Sequence, residues 1–186
     1  MKIYTRSGDD GTTGLFYGGR VPKDSAAPWA YGTVDEAQAA LGVARAHTPR
    51  GGELDTILVG LCKDLYVAMA ELATLPENRS KLAAGTTLVT DEMVAALEEL
   101  IDRVTERFAA PTEFVIPGQT LLAAHLDVAR TVVRRAERLA LRAAAEDSRG
   151  VAYLNRLSDL CWTLARWAES EGASGSLPSR GERSPR

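Results

Sequence analysis

Residues 119–146 read QTLLAAHLDVARTVVRRAERLALRAAAE, and the architecture hangs on how this stretch folds. Leu121, Val128, Val132, Ala136 and Leu139 recur at helix spacing, which predicts one long helix with these five side chains turned to a core. Charge crowds the rest of its surface as Arg130, Arg134, Arg135, Glu137, Arg138 and Arg142. At about 100° per residue, Arg130, Arg134 and Glu137 fall within roughly 60° of one another, away from the apolar stripe. A solvated face laced with i,i+3 and i,i+4 ion pairs is the ordinary explanation. The arginine excess argues against it, because one glutamate does not neutralise this group whereas a triphosphate would.

Upstream, the short apolar run Phe114-Val115-Ile116 sits between breaks at Ala110–Glu113 and Pro117-Gly118 and is too brief for a helix. Thr90-Asp91-Glu92-Met93 is a start signal for a helix reaching Phe108, and residues 76–89 form a polar connection. Ile57, Leu58, Leu61, Leu65, Ala68, Leu72 and Leu75 carry a helix over 53–75. Val34, Ala37, Leu41 and Ala44 carry another from Trp29 to His47, ended by Pro49-Arg50-Gly51-Gly52. Downstream, Arg149-Gly150 precedes a last helix ending near Glu171. Five helices with mostly short connections predict an all-α fold, a five-helix antiparallel bundle, and no strand alternation competes. Gly8, Gly11, Gly14, Gly18 and Gly19, with Pro22 and Pro28, leave residues 1–28 as an ordered or ligand-ordered loop without helix. The expected organisation is one domain over 1–172, with the loop at 1–28 and the bundle at 29–172. The small, polar segment 173–186 is expected to be a disordered tail.

Composition narrows the function classes. A chain of 186 residues and 20.0 kDa is one domain's worth, and 45% hydrophobic with 25% charged is the globular average. Twenty-two basic against 25 acidic residues leave a net charge of −3, without the basic excess of a nucleic-acid binder. Cys62 and Cys161 form no CxxC pair and read as buried thiols. His47 and His125 are expected to be too few, and too far apart, for metal ligation or a His-centred triad. With no signal-peptide core at Met1–Arg6 and no spanning segment, a soluble cytoplasmic protein without membrane contact is expected.

Two further constellations bear on chemistry. Thr5-Arg6-Ser7-Gly8-Asp9-Asp10-Gly11-Thr12-Thr13-Gly14, followed by Lys23, offers hydroxyls, glycine backbone and a cation to an anion. It lacks the GK[ST] of a Walker A loop, and a plain polar turn cluster is the alternative. On the last helix Asn155, Asp159, Trp162 and Arg166 share one side, within roughly 60°, opposite Leu157, Leu160 and Leu164. A tryptophan in that polar stripe suits a subunit contact, a ligand contact or a stray exposed aromatic.

Together and in order, TRSGDDGTTGLF at 5–16, Lys23, YGTVDE at 31–36, ELAT at 71–74, FVIPG at 114–118, ARTVVRRAER at 129–138 and YLNRLSD at 153–159 resemble the propanediol-utilisation type of ATP:cob(I)alamin adenosyltransferase. The resemblance implies a five-helix bundle assembled as a homotrimer with active sites between subunits. It implies transfer of the 5′-deoxyadenosyl group of ATP to cob(I)alamin, with release of triphosphate. By matching positions, Thr5, Ser7, Gly8, Thr13, Gly14 and Lys23 would bind ATP together with Arg134, Arg135, Glu137, Arg138 and Asn155. Asp35 would pair with Arg130 across the subunit boundary, and these two would serve catalysis with Arg134. Phe114 would lie under the corrin ring, with Trp162 lining the same pocket. Magnesium would come with ATP, without dedicated protein ligands. An external reductase would supply cobalt(I), and an adenosylcobalamin-dependent enzyme would receive the product. The sequence departs from the family at two points: Gln119 replaces the second glycine of PGG, and Trp162 stands where phenylalanine is usual.

Two other classes compete. A cobalamin escort would need the corrin pocket but neither the arginines nor the Thr/Gly loop. A helical interaction module would need no small ligand at all.

Overall fold

The computed structural model describes residues 3–174 and is mostly helical. Its α-helices are α1 (Ala26–Ala46), α2 (Glu53–Leu72), α3 (Asp91–Thr105), α4 (Leu121–Ala140) and α5 (Gly150–Ser174). α1 packs on α2 and on α4, α4 also on α5, and α5 on α3. Tyr153 on α5, fully buried, donates from its hydroxyl to Asp64 Oδ2 on α2 at 2.9 Å. Ala30, Val34, Ala37, Leu41 and Ala44 give α1 its buried edge, and Leu58, Leu61, Leu65, Ala68 and Leu72 give α2 its own. Leu154, Leu157, Leu160 and Leu164 of α5 lie at the centre, and truncating any one to alanine costs about 2–5 kcal/mol.

The element ends depart from expectation for local reasons. The N-terminal segment is not free of regular structure: β1 (Thr12–Gly14) and β2 (Arg20–Pro22) form an antiparallel hairpin with Thr13 opposite Val21. α1 starts at Ala26, ahead of the expected Trp29, because Pro28 falls in the first turn, where no amide is needed for the helix ladder. α2 stops at Leu72 because Leu75 precedes Pro76 and is extended (φ −63°, ψ 151°), which starts a 3₁₀ turn over Pro76–Lys81. α3 is capped as expected, Thr90 Oγ1 accepting from the Met93 amide at 3.3 Å, but ends three residues before Phe108. α4 ends at Ala140 instead of Glu146. The amides of Arg142 and Ala143 turn to Leu139 and Ala140, tightening the chain so that it can re-enter as α5. α5 runs on to Ser174, two residues into the expected tail; residues 175–186 lie outside those described.

Two assignments of faces are corrected. Leu121 and Val128 are exposed, not core-facing, because the buried arc of α4 centres on Ala129, Val133, Ala136 and Ala140, whose small side chains admit the neighbouring helices closely. Arg166 does not share a surface stripe with Asp159: it is 4% exposed, because α5 is enclosed on all sides from Leu160 to Glu169 apart from Trp162.

Candidate active site

The N-terminal hairpin is a cage of short polar contacts. Arg20 donates from Nη2 to the Ser7 carbonyl (2.5 Å) and to Thr12 Oγ1 (2.6 Å), and from Nε to the same hydroxyl (3.0 Å). Lys23 Nζ donates to the Gly8 carbonyl at 2.7 Å, and the hydroxyls of Thr5 and Ser7 are bonded at 2.7 Å. Asp10 accepts from the Thr12 hydroxyl (2.7 Å) and amide (2.9 Å), and the hydroxyl bond above all holds its carboxyl below the usual range. A β-carbon at Gly8 would stand 3.0 Å from the Thr12 carbonyl oxygen and 3.1 Å from Lys23 Nζ, so the lysine's approach needs glycine there. The hairpin docks on the end of α2 through the Phe16 amide and the Ala73 carbonyl (2.9 Å). Gly19, at φ 93°, lies so near Leu75 that a β-carbon would fall 2.4 Å from its Cδ1. Thr13 and Gly14 lie on β1, so all six loop positions expected to meet ATP gather in one exposed feature.

The second group lies on α4 and α5. Arg130 pairs with Asp127 one turn back, Nε to Oδ1 at 3.2 Å, and Arg135 pairs with Glu36 of α1. Glu137 Oε1 accepts from Asn155 Nδ2 at 2.9 Å, and Asn155 Oδ1 accepts from Arg156 at 2.7 Å, which in turn reaches Glu98. Arg134, Arg138 and Arg142 are exposed and have no carboxylate partner among the described residues. The face therefore carries uncompensated positive charge beside a fixed carboxylate–amide pair, a donor set matched to a polyanion.

Phe114 and Trp162 differ in setting. Phe114 projects fully into solvent from the 110–120 connection, with Ile116 also exposed. Burying such a ring is worth roughly 1.5–3 kcal/mol, so it is poised to cover something apolar. Trp162 is 36% exposed, its ring edge-on to Phe108 at 6.4 Å and under the Arg166 guanidinium at 5.8 Å. Asp35, on α1, is exposed at the rim of an apolar recess of about 420 Å³ whose walls include Phe16, Tyr31, Tyr66 and Met69. Within one chain Asp35 makes no ion pair with Arg130, whose carboxylate partner is Asp127. The hairpin residues 5–23 likewise share no hydrogen bond or ion pair with α4 or α5 among the described residues.

A family model described as Cobalamin adenosyltransferase matches residues 3–168. The chain belongs to the cobalamin adenosyltransferase family. Similar proteins include the corrinoid adenosyltransferase of Citrobacter freundii, 43% identical over 172 residues, with 91% of this chain and 96% of the relative covered. The corrinoid adenosyltransferase of Mycobacterium tuberculosis (strain H37Rv) is 41% identical over 177 residues, covering 92% and 90%. A solved variant of the PduO-type ATP:corrinoid adenosyltransferase from Lactobacillus reuteri, complexed with cobalamin and ATP, superposes with a TM-score of 0.82 at 31% identity, covering 92% and 93%.

In this adenosyltransferase the roles of three charged groups escape sequence reasoning, in which Arg166 reads as a member of a surface stripe. Arg20 organises the loop only because the hairpin closes, and three-residue strands leave no alternation to read. Asp127 and Arg166 meet, Oδ2 to Nη2 at 2.7 Å, only once α4 packs on α5; the available signal was the i,i+3 spacing of Asp127 and Arg130. The two histidines, far apart in sequence, are not far apart in space: the ends of α1 and α4 bring His47 and His125 into a parallel stack 5.0 Å apart. Among the described residues no three His, Cys, Asp or Glu side chains group as metal ligands.

Proposed function

We propose that this chain transfers the 5′-deoxyadenosyl group of ATP to cob(I)alamin and releases triphosphate, at sites formed between the subunits of a homotrimer of antiparallel five-helix bundles. The observation that carries the reading is that the chain presents both a polar, glycine-rich hairpin and the arginines Arg134 and Arg138, which lack a carboxylate partner among the described residues. Hairpin and arginines stand apart within one chain, and a composite site across a boundary would unite them. Exposed apolar side chains, Trp29, Tyr66, Leu121 and Val128 among them, suit such a boundary. Asp35 would then meet Arg130 of a neighbouring copy.

In the reaction, cobalt(I) of the corrin supplies its electron pair to C5′ of the ribose. The cobalt–carbon bond forms as the C5′–oxygen bond breaks, and triphosphate leaves with that bond's electrons. The nucleophile belongs to the substrate, so no general base is required of the protein. Its work is to align C5′ with the metal and to stabilise charge on the leaving triphosphate. Thr5, Ser7, Gly8, Thr13, Gly14 and Lys23 would hold one end of the nucleotide; Arg134, Arg135, Glu137, Arg138 and Asn155 would hold the rest. Magnesium binds oxygen and keeps much of its water, and it is usually held by phosphates with one or two carboxylates. Glu137 fits that role, since Asn155 fixes one carboxylate oxygen and the other has no partner among the described residues. Phe114 would exclude water and the cofactor's own base from the lower axial position, which makes cobalt(II) easier to reduce. An external reductase then supplies the electron, and an adenosylcobalamin-dependent enzyme consumes the product. The setting is the cytoplasm, in keeping with two thiols that form no disulfide. The single domain would end with α5, at Ser174.

The test is anaerobic incubation with reduced cobalamin and MgATP. Adenosylcobalamin and triphosphate are expected in equal amounts; ATP consumed to ADP, with cobalamin unchanged, overturns the reading.

A further inference from the structure

Asp127 has no role in the scheme above, yet it is buried and gives a separate oxygen to each of two arginines. Oδ2 accepts from Arg166 Nη2 at 2.7 Å, and Oδ1 accepts from Arg130 Nε at 3.2 Å. The same Nη2 also donates to Glu169 Oε1 at 3.1 Å, and the guanidinium lies over Trp162. The cluster thus holds two cations and two carboxylates, and only Arg130 is substantially accessible, its side chain 29% exposed. That side chain stands at a recess of about 300 Å³ lined also by Pro117, Gly118, Ala124 and Thr131. Because Asp127 engages Arg130 through Nε alone, both terminal nitrogens of the fork are left without a partner among the described residues. A guanidinium held at Nε is restricted in its swing and presents its flat two-pronged edge outward, the geometry that takes a carboxylate bidentately.

We propose that Asp127, anchored by Arg166, is the positioning residue for Arg130: it fixes the guanidinium so that its free edge faces a carboxylate of a second copy of this chain. The identity of that carboxylate as Asp35 rests on the proposed function; the aiming of Arg130 by Asp127 does not. The anchoring pair works because its charges balance within the interior, so Asp127 can be oriented by Arg166 and still leave one oxygen for Arg130.

The experiment is a pair of double-mutant cycles, Asp127→Asn with Arg130→Ala, read by subunit association in sedimentation and by kcat and KM in adenosylation. In the wild-type background Asp127→Asn should weaken association and lower kcat at least tenfold, with KM for ATP little changed. In the Arg130→Ala background the same substitution should change neither, since nothing remains to be aimed. Losses that multiply equally in both backgrounds overturn the proposal and return Asp127 to a packing role, and so does a wild-type chain that stays monomeric. Wild-type protein that associates but makes no adenosylcobalamin overturns the adenosyltransferase reading while the association cycle still decides this one. If Asp127→Asn fails to fold, the triple variant Asp127→Ala/Arg166→Met/Glu169→Gln removes the anchoring charges together, so that no carboxylate is left buried without its arginine. It should fold and show the same dependence on Arg130; a folded triple variant with wild-type association and kcat refutes the role.

Discussion

Arg134→Ala separates a solvated arginine from a phosphate ligand. Arg134 is exposed and makes no ion pair among the described residues, so its removal should change stability by less than about 0.5 kcal/mol. By contrast, truncating the buried Arg166 strands Glu169 and leaves Asp127 only Arg130, which should cost roughly 3–5 kcal/mol, so the two variants calibrate each other in one denaturation series. On triphosphate, Arg134 would make charged hydrogen bonds worth about 1.5–3 kcal/mol each. Losing one or two, at about 1.36 kcal/mol per decade, cuts kcat/KM for ATP roughly tenfold to several thousandfold. Lysine keeps the charge but not the two-pronged donor, so Arg134→Lys should recover only part of the loss. The assay varies ATP with cob(I)alamin saturating. A folded Arg134→Ala protein with near-normal kinetics for ATP refutes the reasoning and returns this face of α4 to solvent.

Phe114→Ala should still bind cobalamin but accumulate less of the base-free cobalt(II) form in the presence of ATP, read by absorption or spin resonance; an unchanged spectrum defeats the wedge. Asp35→Asn, at an exposed residue with no ion pair to Arg130 inside one chain, should weaken assembly or turnover more than the 0–1 kcal/mol or so of an ordinary surface pair, whereas normal activity at normal oligomer size removes Asp35 from the site. Burial raises the Asp64 carboxyl above its ordinary value of 3.8 while Tyr153 donates to it. The unfolded chain therefore releases this proton first, and stability is lost as pH rises from about 3.8 through the higher folded value. Thermal melts of Asp64→Asn against wild type should diverge over that window, the variant falling less; parallel curves would show that Asp64 does not carry the change.

Which parts of this were legible in the sequence follows from the range of the interactions involved. Helix existence rests on neighbours three and four residues apart, so all five α-helices could be read from leucine and alanine spacing, and Thr90 marked its cap. Helix ends and faces depend on what packs against them. Nothing in RLALRAAAE says that the chain must turn at Ala140, and Leu121 and Val128 have core-like chemistry but lie off an arc that small alanines define. The motif residues proposed for the site could be picked out because each is chemically conspicuous where it stands. The pairing of Asp127 with Arg166 could not be, since a carboxylate and an arginine 39 positions apart become a buried pair only in the packed helices. Arg20 lay beyond reach for a similar reason: its partners exist only once the hairpin closes.

The central claim, that a site needs two copies of the chain, is tested most directly by mixing two variants, each impaired in one half of the site. Lys23→Ala damages the loop half and Arg134→Ala the helix half, while each leaves the other half intact. Unfolded or dissociated together and reassembled at equal amounts, they should regain adenosylation at about a quarter of the wild-type rate, because random assembly joins an intact loop to an intact helix face at one boundary in four. Mixed assemblies no more active than the parents would contradict the account, and would place both halves of the site within a single chain.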